Sequence, residues 1–340
     1  MNLCSVNRVD QHNHHPDNKA ARRGVVLKKI REKIATDPTV PVRRVFDKVV
    51  DEEICSDSDE LPNWEGLRTR AKRMRSKFMP PLPATIDDVD INGPWAETWK
   101  SQRFLSHIDN DWGIVVFTTN RMITALQRCD TLFIDGTFRT APFPYMQFVT
   151  IHGLYHGHVI PLVFALLTNK TVGLYRQLFS HLKRYTRRVT GRALRPVNIV
   201  LDFEQAILLA VETELPGTRL SGCYFHFTQS LWRKLQNLGL AGIYRRDPQV
   251  RARIRKVMAI GFLPVLLVRQ NFTMLQGSRR TRRFSRRYPA FQRWLSYVET
   301  TYIGNRVLFP PPIWNVFTRG MDTRTINHLE GTHLSVSVKE

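Results

Sequence analysis

The chain is poor in cysteine and in long apolar runs. The four cysteines of its 340 residues are scattered along it: Cys4, Cys55, Cys129 and Cys223. They have no spacing typical of a disulfide framework, which argues against a secreted disulfide-rich domain and favours a reducing compartment. The longest apolar stretch, near 159–167, contains a proline and is too short to span a bilayer. The N-terminus is polar, so we predict a soluble intracellular protein without a secretory signal or a membrane partner.

Acidic residues are also scarce relative to basic ones. The chain has 51 Lys and Arg against 29 Asp and Glu, which gives a net charge of +22 and a pI near 10.4. Arginine dominates the dense clusters, and its guanidinium group matches phosphate geometry in a bidentate manner. The composition therefore favours a polyanionic partner such as nucleic acid over a ribosomal or membrane-surface role.

The densest cluster of charge is the segment 279–287, RRTRRFSRR. It contributes six arginines: Arg279, Arg280, Arg282, Arg283, Arg286 and Arg287. We predict that these side chains bind DNA phosphates, because no acidic residue compensates them locally. A short basic run of this kind is also typical of nuclear import signals, and we predict a nuclear protein.

The pattern along the chain divides it into five predicted segments. They are a polar His-rich tail at 1–20, a basic helical region with a Pro-rich linker at 21–102, an α/β core at 103–228, a helical insertion at 229–319, and a final helix at 320–340. From Leu132 onward the core reads β-β-β-α-β-α-β-α, which predicts a mixed sheet with helices.

Two acidic residues occur where apolar strands end or turn. Asp135 lies in TLFIDGTF and Asp202 in VNIVLDFEQA. An unpaired carboxylate in an apolar setting is costly, so each is expected to have a partner, although an Asp that caps a turn or helix is the simpler alternative. The strand order is typical of a ribonuclease H-like fold, in which the first and fourth strands are neighbours. In that arrangement Asp135 and Asp202 could share Mg²⁺ or Mn²⁺ ions.

A third carboxylate from a late helix would complete such a metal site. The late candidates are Glu299, Glu330 and Glu340. Glu204 is a rival: if the strand continued past Asp202, it would share the face of Asp202. We interpret it instead as an acid at the N-terminus of the following helix.

Several segments resemble the Mutator-like (MULE) transposases, specifically the animal type carried with FLYWCH-type zinc fingers. The matching pieces are FIDGTF at 133–138, VLDFEQAI at 200–207, GCYFHFTQSLWRKLQ at 222–236, LFPPPIWNVF at 308–317 and RTINHLEGTHLSV at 324–336. The five pieces follow one another in the family's order. The resemblance extends from about residue 67 to about residue 338.

The resemblance implies a DDE-type DNA transposase core on a ribonuclease H-like fold, with an all-helical insertion before the third acid. Carried over by position, the three metal-binding catalytic acids are Asp135, Asp202 and Glu330. Such an enzyme uses Mg²⁺ or Mn²⁺ to cleave DNA and to join a 3′-hydroxyl to a target duplex. Its expected partners are transposon ends, target DNA and further copies of itself, with no small-molecule substrate.

The family's Cys-x-x-His element falls on Cys223 and His226. The pair could pack structurally near the site, supply half of a zinc site, or contact the DNA strand. The segment HNHHP at 12–16 resembles the closing His-x-His of a FLYWCH finger, but only Cys4 is available beside it. An incomplete finger favours the alternative function, a domesticated or truncated transposase that binds DNA or other proteins without catalysis.

Overall fold

The computed structural model describes residues 18–53, 63–137, 141–320 and 323–324. The chain forms two compact units that divide between Leu82 and Pro83. Within the described residues, no helix combines the length and apolar character needed to cross a bilayer.

The first unit consists of three helices. They are α1 (Asn18–Thr36), α2 (Val42–Glu53) and α3 (Trp64–Ser76). Ile30, Val49 and Leu67, one from each helix, are fully buried in a small apolar core. The start of α3 is fixed by Asn63, whose side chain accepts a hydrogen bond from the backbone N–H of Gly66 at 2.9 Å. The three helices therefore enclose a hydrophobic core of their own.

The second unit is built on a seven-stranded mixed sheet. Its strands are β1 (Leu105–Asp109), β2 (Ile114–Phe117), β3 (Thr131–Thr137), β4 (Gln147–Tyr155), β5 (His158–Leu167), β6 (Asn198–Leu201) and β7 (Arg219–Gly222). Their order is β1-β2-β5-β4-β3-β6-β7. In this order, the pairs β1–β2, β2–β5, β5–β4 and β4–β3 are antiparallel. The pairs β3–β6 and β6–β7 are parallel. The predicted mixed α/β sheet is confirmed.

Three helices accompany the sheet. They are α4 (Asn120–Arg128), α5 (Val172–Thr190) and α6 (Gln205–Glu214). The two crossover helices α5 and α6 are required because parallel strands cannot be joined by a tight turn. Helix α5 is capped by Thr171 before its first residue and by Gly191, which adopts a φ of 70°, after its last. The predicted order of three strands, helix, strand, helix, strand and helix from Leu132 is observed.

The described residues after β7 form helices and no strand. These are α7 (Tyr224–Asn237), α8 (Ala241–Arg246), α9 (Pro248–Ala259), α10 (Val265–Gly277), α11 (Arg279–Arg287), α12 (Pro289–Val298) with a π-helical turn at Glu299–Ile303, and α13 (Pro311–Trp314). They share one apolar core with the sheet, and the ring of Phe227 stacks on Trp314 with centroids 4.4 Å apart. The helical segment therefore packs as an extension of the sheet core.

Candidate active site

The register of the sheet brings the first two predicted acids together. Strand β3 pairs with β6 in parallel, with Phe133 opposite Val200. Continued by two residues, this register brings Asp135 towards Asp202, which follows directly after the end of β6, and the two carboxylates are close enough for the charge of Asp135 to act on Asp202. Because side chains alternate along a strand, Asp135 lies on the face of β3 that carries Phe133. The carboxyl ends of two neighbouring parallel strands thus present an acidic pair.

The electrostatics of Asp202 reflect this crowding. Burial, followed by the charges of Glu204 and Asp135, raises the pKa of Asp202 to about 7. A backbone hydrogen bond from Glu204 to Oδ1 of Asp202, 3.3 Å long, and the charge of Lys170 oppose the rise only in part. Asp135 itself is only 8% exposed. The protein therefore holds two acids together where a bound cation would relieve their repulsion.

This raised pKa predicts that the contribution of Asp202 to wild-type stability falls with pH in the presence of EDTA. Between about pH 4 and pH 7 the folded protein holds a proton on Asp202 that the unfolded chain has lost, so this contribution to the free energy of unfolding decreases across the window. His181, whose pKa burial lowers to about 3, contributes in the opposite direction in both proteins, so the effect is measured as the difference between variant and wild type. We expect Asp202→Asn to abolish the contribution of Asp202. At pH 8 it should stabilise the protein by up to about 4 kcal/mol, because one pKa unit corresponds to about 1.4 kcal/mol. Denaturant unfolding between pH 4 and pH 8 measures both effects. A variant with the wild-type pH profile would contradict the assignment.

Glu204 lies at the N-cap of α6, as interpreted from the sequence, and is held by a hydrogen-bond network. The hydroxyl of Tyr175 lies 2.7 Å from Oε1 of Glu204 and 2.7 Å from Oε1 of Gln147. Since a phenol donates one proton, the two bonds are satisfied together when the Gln147 amide turns its NH₂ group towards the hydroxyl. Nζ of Lys170 lies 3.5 Å from Oε2 of Glu204. The network fixes the Glu204 carboxylate towards α5.

We expect Tyr175→Phe to destabilise the protein by about 1–3 kcal/mol, because Gln147 and Glu204 lose a buried partner. Tyr145→Phe is a matched control: the Tyr145 hydroxyl is buried and has no hydrogen-bond partner in the part of the chain that the structure describes. Removing that hydroxyl should be neutral or slightly stabilising. Denaturant unfolding of the two variants compares the hydroxyls directly, and equal effects would mean that the network adds no stability.

Cys223 and His226 lie beside the acidic pair. Strand β7 pairs with β6 so that Gly222 faces Leu201, and Cys223 is therefore the neighbour of Asp202. Cys223 is fully buried, and Nδ1 of His226 is buried without a hydrogen-bond partner among the described residues. Burial lowers the pKa of His226, but interactions with Cys223 and the charge of Asp135 outweigh it and raise the pKa above its usual value. Among the described residues, no three His, Cys, Asp or Glu side chains form a metal-binding group, and the zinc interpretation stays a prediction.

The chain returns to this edge of the sheet after α13. The carbonyl of Arg324 accepts a hydrogen bond from the backbone N–H of Tyr224 at 2.9 Å. Nη1 of Arg319 donates to the carbonyl of Gly222 at 2.7 Å, and burial, followed by the charge of Arg219, lowers the pKa of Arg319 to about 10. Arg319 and Arg324 thus contact the residues that flank Cys223.

The three late candidates for the third acid differ in whether the structure describes them. Glu330 and Glu340 lie outside the described residues. Glu299 lies in the π-helical turn, where Oε2 accepts a hydrogen bond from Gln276 at 3.0 Å. Among the described parts of the chain, Glu299 forms no hydrogen bond with Asp135 or Asp202.

The six predicted DNA-binding arginines lie on helix α11, within the range 229–319 that the sequence predicted as a helical insertion. Ser278 caps the helix by accepting the N–H of Thr281 at 3.3 Å, and Thr281 and Phe284 are buried. All six arginines are exposed, and five of them line one shallow concavity: Arg279, Arg282, Arg283, Arg286 and Arg287. Within the described residues, none of the six forms a salt bridge.

The structure thus defines an α/β protein with an acidic pair at one edge of a mixed sheet and a basic helix in its helical extension. Residues 131–230 match the model of the MULE transposase domain family. The matched range begins with β3 and ends within α7, so it contains Asp135, Asp202, Cys223 and His226. The resemblance noted from the sequence is confirmed for this range. No curated protein matches the chain.

Proposed function

We propose that this protein is a transposon-derived DDE DNA transposase with a ribonuclease H-like core. The observation that supports this most is the proximity of Asp135, in β3, to Asp202, directly after the neighbouring parallel strand β6, within the range that matches the MULE domain. A ribonuclease H-like fold requires its first and fourth core strands to be neighbours, and the proposal assigns these two strands to β3 and β6. The matched domain also implies DNA as the partner, in agreement with the net charge of +22.

The acidic pair suits a hard divalent cation. Carboxylate oxygens are the ligands that Mg²⁺ and Mn²⁺ prefer, and the raised pKa of Asp202 marks a site where added positive charge is favourable. Asp135 and Asp202 would hold the ions. When bound, such ions supply activation of a water or 3′-hydroxyl and stabilisation of the leaving oxygen.

Glu330 is the proposed third acid. It follows Arg324 by six residues, and a six-residue segment spans at most about 20 Å. Since Arg324 bonds to Tyr224 beside Cys223, the chain is long enough for Glu330 to approach the acidic pair. Glu204 is the second candidate, because its charge already contributes to the raised pKa of Asp202.

The remaining features of the proposal come from the sequence. A transposase that joins two ends to a target would act in the nucleus and as an oligomer of this chain. The FLYWCH association rests on the segments quoted above. Cys223 and His226 would pack beside the acids and orient them, with zinc binding as the alternative role.

The proposal is tested by incubating the purified full-length protein with supercoiled plasmid and Mg²⁺ or Mn²⁺. Conversion to nicked circles with either metal, and its loss in EDTA, would support the proposed enzyme. Tight DNA binding without nicking at any metal concentration would favour the non-catalytic, domesticated alternative.

A further inference from the structure

The N-terminal unit distributes its charge unevenly among its three helices. Three acids of α2 lie in ion pairs, two with α1 and one within α2: Lys29–Glu53, Lys33–Glu52 at 2.9 Å and Arg43–Asp47 at 2.8 Å. Helix α3 and the residue after it carry six basic side chains: Arg68, Arg70, Lys72, Arg73, Arg75 and Lys77. The only acid in α3 is Glu65, which lies 3.5 Å from Arg68. With six basic side chains against one acid, α3 and Lys77 together carry a net charge of +5, and α1 carries further excess positive charge.

Part of this charge has a defined geometry. Arg70, Arg73 and Lys77 follow one another at helical spacing and, with Arg31 of α1, line a groove over Met74 and Phe78. None of these four basic residues forms a salt bridge within the described parts of the chain. A row of bases without acidic partners differs from an ordinary solvated helix face, where opposite charges alternate.

Arg75 of α3 makes a side-chain hydrogen bond within the unit. Nε of Arg75 donates a hydrogen bond to the carbonyl of Pro38 at 2.9 Å, and this bond ties α3 to the turn between α1 and α2. The buried side of α3 is narrow, with Leu67 and Ala71 as its buried residues. The helix is therefore held firmly while most of its circumference stays accessible.

The accessible side of α3 identifies the class of partner. Opposite Leu67 and Ala71, the helix exposes polar and charged side chains only: Glu65, Arg68, Thr69, Lys72, Arg73 and Ser76. A helix that docks on a membrane or a protein groove needs an apolar face for contact, and α3 has none outside its core. A polar basic face is typical of a helix that enters nucleic acid.

We propose that the three-helix N-terminal unit is a second DNA-binding module that inserts α3 into the major groove. A helix of 13 residues is about 20 Å long, and the major groove of B-DNA admits a helix. Arg31, Arg70 and Lys77 contact phosphates, and Thr69, Arg73 and Ser76 face base edges. The deep, narrow major groove of A-form RNA excludes the same approach. This module goes beyond the proposed catalytic function, because it selects a sequence independently of the core.

The test is selection from a pool of randomised DNA duplexes with the full-length protein in EDTA, so that cleavage plays no part. We expect the wild type to enrich a short motif. Arg70→Gln with Arg73→Gln should abolish the enrichment and weaken binding to the motif by at least about tenfold. The matched control Arg44→Gln with Lys48→Gln removes the same charge from exposed positions of α2 and should enrich the wild-type motif.

A second variant distinguishes a loss of base recognition from misfolding of the unit. Arg70→Lys with Arg73→Lys keeps the charge, so it should retain binding to random duplex but lose preference for the motif. Asp135→Asn should enrich the same motif as the wild type, which separates this proposal from the catalytic one. The proposal is overturned if the wild type enriches no motif, if the glutamine variant enriches the wild-type motif, or if duplex RNA competes as well as the selected DNA.

Discussion

We expect Asp135→Asn to abolish metal-dependent nicking of plasmid DNA, with a rate at least about 100-fold below wild type. Removing a residue that merely supports a metal ligand costs 10- to 100-fold, so removing a ligand should cost more. The amide keeps the shape of the buried Asp135 side chain but cannot neutralise a cation. Binding to DNA in EDTA should be unchanged or tighter, because the substitution removes a negative charge from a site that is proposed to bind the DNA phosphate. Nicking assays and binding titrations on the same preparation separate the two effects.

Asp130→Asn is the matched control. Asp130 is exposed and precedes β3, so it lies at the opposite end of the strand from Asp135. The same chemical change there should leave nicking at the wild-type rate. Asp202→Asn should reproduce the loss, and the double variant Asp135→Asn/Asp202→Asn should be no worse, because the two acids act as one unit. Nicking by Asp135→Asn at the wild-type rate would end the assignment.

The sequence predicted the core elements because their signals are local. Apolar strands alternate with turn residues, and α5 repeats apolar residues at helical spacing, so the order from Leu132 could be read directly. Strand β1 was missed, because LSHID combines few apolar residues with polar ones and is stabilised by pairing with β2. Helix α10 lies within the predicted helical insertion at 229–319, but its own residues give a weak helical pattern. It leaves Leu266 93% exposed and Met274 65% exposed, so its apolar residues follow no single face.

The acidic pair could be predicted only through the fold. Asp135 and Asp202 are 67 positions apart, and their adjacency depends on the pairing of β3 with β6, which no local pattern encodes. The network of Tyr175, Gln147 and Glu204 was not predicted for the same reason. It joins side chains from three separate elements through single hydroxyl contacts. Such contacts follow from packing, whereas sequence periodicity reports only which face of an element is buried.

Helix α11 provides the second large expected effect, on DNA binding rather than on chemistry. Its arginines are exposed and have no salt-bridge partner in the described chain, so each is free to neutralise a phosphate. We expect Arg279→Gln/Arg283→Gln/Arg286→Gln to weaken binding to all duplexes alike, since phosphate contacts carry no sequence information. The loss should be largest at low salt. The slope of log K against log salt should shrink by about 2.7 if all three residues contact phosphates, at about 0.9 per contact.

A pair of single substitutions sharpens this prediction. Arg283 lines the concavity of α11, whereas Arg280, equally exposed on the same helix, does not. If a DNA strand follows the concavity, Arg283→Gln should lower affinity and reduce the salt slope by about one, and Arg280→Gln should change both much less. Fluorescence anisotropy with two unrelated duplexes, between 50 and 200 mM salt, measures affinity and slope together. Equal losses for the two variants would mean that α11 attracts DNA as a diffuse charge. Wild-type slopes in both, and in the triple variant, would assign the arginines of α11 to nuclear import instead.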